Sequence, residues 1–252
     1  MSRIAIVTHC FAELIPHYAA HLKFQLAMLV NHFPPPEGVE VTVAVAYVQT
    51  DRETRKVLHY FGKNGHDRVN VVPVKVTMNQ MLRRAVVRNV LAKDLGPKND
   101  AVWFTDVDYS FGSGCLKALS ESKLHPGRMY CPTTIRINTT HEDGDNMVAN
   151  ADGHPAPAID TRTFTERRQK VIIGGCMIVA GETAAKGYLD GTKWTNELTD
   201  EEIEKDPHFR KCNCDRAYRK SESFTRKSVY LELPSVFRIR HSTNHVSERA
   251  KS

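Results

Sequence analysis

The sequence predicts an α/β protein built on a parallel sheet, and three observations carry that reading. Short runs rich in valine, isoleucine and alanine alternate with longer segments whose apolar residues recur at helical spacing. Their order is strand, helix, strand, helix, which winds a parallel sheet in Rossmann-like fashion. With 252 residues and 41% hydrophobic content, the chain can bury a substantial core. One domain spanning 1–252 is therefore expected.

Arg3 to Thr8 reads as a strand buried on both faces. His17 to His32 reads as a helix with Leu22, Leu26, Leu29 and Val30 at helical spacing, ended by Pro34-Pro35-Pro36 because proline lacks an amide donor and clashes with the preceding turn. Val39 to Val48 is the second strand, Arg52 to Phe61 a charged helix, Gly62 to Gly65 a turn, and Val69 to Val76 the third strand. Thr77 with Gln80 forms a capping box that opens a helix along Met78, Met81, Leu82, Ala85, Val86 and Val90. Arg84 and Arg88, four apart, share a face of it.

Ala101 to Thr105 is a short apolar strand, and a further strand is expected around Met129 to Ile137. The segment 138–170 has little apolar periodicity and reads as an irregular lid or acceptor loop. Val171 to Val179 is an apolar strand interrupted by Gly174-Gly175, Asp215 to Lys220 a helix, and Val229 to Leu233 and Val236 to Arg240 the closing strands. No internal repeat is visible.

The formal net charge is +6 and the pI about 9.0, which favours an anionic substrate or a polyanionic partner. Basic residues cluster at Arg83/Arg84/Arg88, at Arg162/Arg167/Arg168/Lys170 and at Arg210/Lys211/Arg216/Arg219/Lys220. The six cysteines, Cys10, Cys115, Cys131, Cys176, Cys212 and Cys214, are scattered and read as reduced thiols. Cys212 and Cys214 have no second pair at zinc spacing. No stretch reaches the roughly 18 to 20 apolar residues a bilayer span requires, so a cytoplasmic protein without a membrane span is expected.

The chemistry-bearing signal is Asp106-Val107-Asp108, placed directly after a buried strand. Ligands of parallel α/β sheets bind outside the carboxyl ends of the strands. Carboxylates one residue apart on extended chain point to the same side, and such hard oxygen ligands suit Mg²⁺ or Mn²⁺ bridging a substrate diphosphate.

Val102-Trp103-Phe104-Thr105-Asp106-Val107-Asp108 resembles the DxD strand of GT-A-fold glycosyltransferases, particularly family 2. The resemblance implies an αβα sandwich with a nucleotide-sugar-binding half over 1–110 and an acceptor-binding half with a mixed sheet over 111–252. It implies a metal-dependent transfer from a nucleotide-diphosphosugar, commonly a UDP-sugar, to an acceptor hydroxyl; in-line attack by that hydroxyl would invert the anomeric centre, with retention the alternative if Asp215 is remote from the acceptor. Arg84 and Arg88-Asn89 resemble the family's helix approaching the donor, and Ile172 to Ile178 is similar to its glycine-containing strand beneath the sugar. Cys214-Asp215-Arg216-Ala217-Tyr218-Arg219 looks like its acidic base motif with cysteine in place of glutamate, making Asp215 the expected base. His241 falls where relatives carry a further metal ligand beside Asp106 and Asp108.

The donor contacts implied are Thr8, His9, Gln49, Asp51, Arg84, Arg88, Asp106, Gly174 and Gly175. Thr8-His9-Cys10 and Gln49-Thr50-Asp51 depart from the family's usual turn and acidic cluster, which leaves the nucleotide open. The acceptor is a glycan or, given the charge, a modified base in DNA. Two other readings compete: a nucleotidyltransferase, which should carry a glycine- and lysine-rich phosphate loop absent from Thr8-His9-Cys10-Phe11, and a non-catalytic nucleic-acid-binding module. Blander roles are open for single residues. Arg84 and Arg88 can be a solvated helix face, Gly174-Gly175 a bulge or close backbone approach, His241 a surface histidine, and Asp215 a helix cap or partner of Arg219.

Overall fold

The computed structural model describes residues 1–149, 161–172, 174–205, 214–224 and 228–242. Eleven strands are present among them: Ser2–His9 (β1), Val39–Val48 (β2), Val69–Val76 (β3), Ala101–Thr105 (β4), Tyr109–Phe111 (β5), Met129–Pro132 (β6), Thr134–Asn138 (β7), Phe164–Arg168 (β8), Cys176–Ala180 (β9), Val229–Leu231 (β10) and Val236–Arg238 (β11). The helices are Tyr18–Ala27 (α1), Arg52–Lys63 (α2), Met78–Leu82 (α3), Arg84–Leu95 (α4), Cys115–Glu121 (α5), His141–Ala149 (α6), Gly181–Ala185 (α7), Asp200–Lys205 (α8) and Cys214–Arg219 (α9).

Seven strands make one sheet in the order β10-β6-β9-β4-β1-β2-β3. β1 pairs in parallel with β2 and β4, and β2 with β3. β9 alone runs antiparallel to its two neighbours, β4 and β6. The fold class is thus α/β with a mixed sheet between helical layers, as the sequence pattern indicates. Alternation along each strand divides the core. Ile4, Ile6, Val43, Trp103 and Ile178 face a cluster with Leu22, Leu26, Leu58, Phe61 and Leu116 from α1, α2 and α5. Ala5, Val7, Ala44, Val102, Phe104 and Met177 face Leu82, Ala85, Val87, Leu91 and Tyr218 from α3, α4 and α9.

Four sheet-level details differ from the sequence reading. Met129 to Ile137 is two strands, because the chain leaves the large sheet after Pro132 and β7 joins a second sheet of order β5-β11-β7-β8. The helix opened by the Thr77/Gln80 capping box breaks at Arg83 (φ −116°, ψ 80°) and restarts as α4. The strand expected from Val171 begins only at Cys176. The segment 138–170, read as irregular, contains α6 and β8, since Met147 and Val148 pack with Phe24, Met28, Phe237 and Ile239. Within that segment 150–160 lies outside the described residues, as do Ile173, His208, Arg210, Lys211, Cys212 and His245. The large sheet also draws β6, β9 and β10 from beyond residue 110, so both halves of the chain share one sheet. No helix among the described residues is long and apolar enough to cross a membrane.

Ile6 is fully buried in β1, an interior strand of the large sheet, so Ile6→Ala removes packed methyl groups and leaves a cavity. The expected cost is about 2–5 kcal/mol, read as a lower urea midpoint with unchanged slope.

Candidate active site

Topology brings distant segments to one edge of the sheet. β1 and β4 are parallel, so Thr8-His9 and Asp106 emerge at the same carboxyl edge. β9 is antiparallel to β4 with Cys176 opposite Thr105, which sets Gly174-Gly175 beside Asp106. The break at Arg83 starts α4 at this edge, and α9 adds Asp215.

Two arginines and two aspartates form a closed lattice there. Arg84 donates to Asp106 Oδ1 at 3.1 Å and pairs with Asp215 Oδ2 at 3.1 Å. Arg88 donates to Asp106 Oδ1 at 3.0 Å and to Asp215 Oδ1 at 2.7 Å. Arg88 is 1% exposed and lies 5.6 Å from the Tyr188 ring centre and 5.9 Å from that of Phe104. A buried charge needs such pairing, and removing one partner of a buried pair typically costs about 3–5 kcal/mol. The Tyr188 hydroxyl donates to Asp215 Oδ1 at 2.6 Å, and the Tyr188 amide donates to Asn89 at 2.9 Å, tying the lattice back to α4.

The two glycines are required by this lattice. A Cβ on Gly174 would overlap the Asp215 carboxylate, and one on Gly175 would overlap the Tyr109 ring and stand 3.0 Å from Asp106 Oδ2. Close backbone approach is therefore their structural role.

Asp106 and Asp108 differ sharply despite being one residue apart. They occupy a turn between β4 and β5, not extended chain, so the expected period-two alignment does not apply. Burial raises the Asp106 pKa, but Arg84 and Arg88 outweigh it and hold the carboxyl well below its ordinary range. The stability carried by its ion pairs is fully present above about pH 4 and is lost only on strong acidification. Asp108 is pushed up to about 6, chiefly by burial, against the pull of Arg238, whose Nε donates to Oδ2 at 3.0 Å. Asp108 Oδ1 is buried without a hydrogen-bond partner. His9 is lowered to about 3 by burial, so its ring is neutral at pH 7.

This donor set fits a small divalent cation in part. Mg²⁺ and Mn²⁺ commonly take one or two carboxylates and leave the remaining positions to water and substrate phosphate. Asp108 Oδ1 is unsatisfied, and both arginines reach Asp106 through Oδ1, leaving Oδ2 outside those ion pairs. His241 does not complete a trio with them. Among the described residues no group of three His, Cys, Asp or Glu side chains is placed to hold a metal ion. Its ring packs 4.4 Å from His17 and 5.1 Å from His21, centre to centre, and burial lowers its pKa to about 4.

The other expected donor contacts divide. Thr8 is buried with an unpartnered hydroxyl, and Gln49 is exposed beyond β2. Asp51 is committed elsewhere: it caps α2, accepting from the Thr54 amide at 3.0 Å and the Ala12 amide at 2.6 Å. Three residues that sequence reasoning did not single out hold the site. Gln25 of α1 donates to the carbonyls of Asp106 and Tyr109 at 3.2 and 2.7 Å; the others are Tyr188 and Arg238. No local signal marked them, because each meets its partner only through the fold.

No protein-family model matches the chain, and no curated protein matches it in sequence. In structure it is similar to the apo form of mouse xyloside xylosyltransferase 1, at 11% identity and TM-score 0.42 over 81% of this chain and 74% of that one. It is also similar to residues 1–349 of S. aureus TarS, at 15% identity and TM-score 0.47 over 96% of this chain and 61% of that one. The T. maritima inositol-1-phosphate CTP transferase aligns at 13% identity and TM-score 0.44, over 99% of this chain and 94% of that one. The chain thus spans 61% of the TarS segment. Likenesses at these scores say nothing of activity, and the chemistry of the site rests on its own residues.

Because Asp108 is raised in the fold, it makes the protein less stable as pH rises from about 3.9 toward 6. A cation favours the charged carboxylate, so saturating Mg²⁺ should lower the midpoint from near pH 6, and Mg²⁺ should bind more weakly as pH falls below it. Carbon-13 NMR titration, with the resonance identified by its loss in Asp108→Asn, reads this directly. A midpoint that Mg²⁺ leaves in place removes Asp108 from cation binding.

Proposed function

We propose that the chain is a metal-dependent glycosyltransferase, of the kind family 2 resemblance implies, that moves a sugar from a nucleotide-diphosphosugar, a UDP-sugar in the first instance, to an acceptor hydroxyl. The observation that supports it is the convergence of Arg84, Arg88, Asp106, Asp215 and the paired glycines at the carboxyl edge of the sheet. Substrates of α/β sheets bind at that edge, and guanidinium groups match phosphate oxygens through paired donors.

The two arginines have different tasks. Arg88 is buried beneath Phe104 and Tyr188 and stays in place, whereas the Arg84 side chain retains 20% exposure and can turn toward an incoming diphosphate. Its departure releases Asp215 Oδ2, which among the described residues Arg84 alone engages, while Oδ1 stays fixed by Arg88 and Tyr188. Donor binding would thus uncover the base that accepts the acceptor hydroxyl's proton. Asp108 and Asp106 would hold a Mg²⁺ or Mn²⁺ ion, which when bound would supply Lewis-acid stabilisation of the leaving diphosphate. Attack from the side opposite that group inverts the anomeric centre. Glycans and hydroxylated bases in DNA are the acceptor classes to try.

The test is incubation with Mn²⁺ and a panel of nucleotide sugars, with release of nucleoside diphosphate as readout. Asp106→Asn and Asp108→Asn should each lower release by about 10²- to 10³-fold. Asp215→Asn should lower transfer by about 10²- to 10⁴-fold while leaving donor binding within a few fold. Absence of release together with absence of a thermal shift by any donor sinks the reading, and pyrophosphate release from a nucleoside triphosphate would replace it with nucleotidyl transfer.

A further inference from the structure

On the outer side of α2, away from the carboxylate lattice, lies a groove of about 740 Å³. Arg52, Arg55, His59 and Lys63 line it from α2, and Tyr47 and Pro73 from β2 and β3. The four α2 positions follow steps of three, four and four residues, so they form one stripe about 16 Å long. All four are exposed, and none of the groove's lining residues is acidic.

The chemistry of the groove narrows its occupant. β3 is the edge of the large sheet, but Pro73 stands exposed in its middle and Lys75 is exposed two residues on, which blocks addition of another strand. A cationic stripe is the wrong surface for an apolar helix. Gly62 adds a second observation. It lies within α2, where glycine costs about 1 kcal/mol against alanine, yet a Cβ there would meet nothing within 4 Å and its φ is not positive. Among the described residues no packing contact requires a glycine at this position, and Gly62 itself lines the groove.

We infer that this groove binds a single strand of nucleic acid, with backbone phosphates along Arg52, Arg55 and Lys63 and a base against the Tyr47 ring. One row of cations beside an aromatic ring suits a single strand, whose bases are free to stack. Arginine forks match phosphate oxygens, and the chain's net charge of +6 draws a polyanion from solution. The site is formed by α2, β2 and β3 alone, so it stands or falls separately from the transferase reading.

The experiment is fluorescence anisotropy of the full chain with a labelled single-stranded DNA oligonucleotide of mixed sequence, across a salt series. R52E/R55E/K63E should weaken binding at least tenfold at low salt and flatten the slope of log affinity against log salt by about 2, at roughly 0.7 per phosphate contact. Gly62→Leu removes no charge and should weaken binding severalfold while leaving the melting temperature unchanged or higher. The charge-matched K98E/K117E/K123E variant, at lysines that do not line the groove, should stay within twofold of the parent. The inference is overturned by any of three results: no retention at low salt, equal losses in the groove and charge-matched variants, or duplex DNA or dextran sulfate binding as tightly as the single strand.

Discussion

Burial of the Arg88 guanidinium constrains this molecule more than any other single contact. A cation at 1% exposure is tolerable only when paired; its Nε is left without a hydrogen-bond partner among the described residues, but its two terminal nitrogens pair with Asp106 and Asp215. One follows β4 and the other opens α9, 127 residues along the chain from Arg88. The lattice therefore holds the end of the central strand, the start of α4 and the late helix in one arrangement. Its surroundings follow from that requirement. Gly174 and Gly175 lack side chains because the carboxylate of Asp215 and the ring of Tyr109 occupy the space. Tyr188 covers the guanidinium and adds its hydroxyl to Asp215.

Much of the fold was legible because burial imprints a period. β2, β3 and β4 match the apolar runs to the residue, and the Thr77/Gln80 capping box is present on both sides. What periodicity cannot carry is which sheet a strand joins. Met129 to Ile137 reads as one run, yet Thr133 donates its amide to Leu231 while the chain passes from one sheet to the other. The weak periodicity of 138–170 hid α6 for a related reason: its apolar contribution is little more than Met147 and Val148, which pack on a satellite cluster.

The site was legible as residue types and not as contacts. Arg84, Arg88, Asp106, Asp215, Gly174 and Gly175 each carried a local signal, but a sequence does not say that they bond to one another. That follows from β9 running antiparallel beside β4, a topological fact with no local trace. Asp51 shows how one position can carry two signals. Its place after β2 suited a substrate contact, yet the same place suits a helix cap, and its carboxylate is taken up by α2 and the Ala12 amide. His241 was drawn instead into packing with His17 and His21 by the end of β11.

The opposite displacements of Asp106 and Asp108 bear on how such a site can be both stable and responsive. Asp106 is charged at all ordinary pH because two arginines face it, so it anchors the fold whether or not a substrate is present. Asp108 is buried with a single cationic partner and an unsatisfied oxygen, so its charged form is the costly one. A ligand that brings positive charge to Asp108 relieves that cost, while one that brings negative charge competes with Asp106 and Asp215 for Arg84. A cation with an attached diphosphate does both at once. The two halves of such a ligand would therefore bind cooperatively: each rearrangement the anion causes among the arginines leaves more carboxylate charge exposed to the cation. The unliganded lattice is balanced within itself, and the same balance makes it able to exchange internal ion pairs for external ones without leaving a buried charge alone.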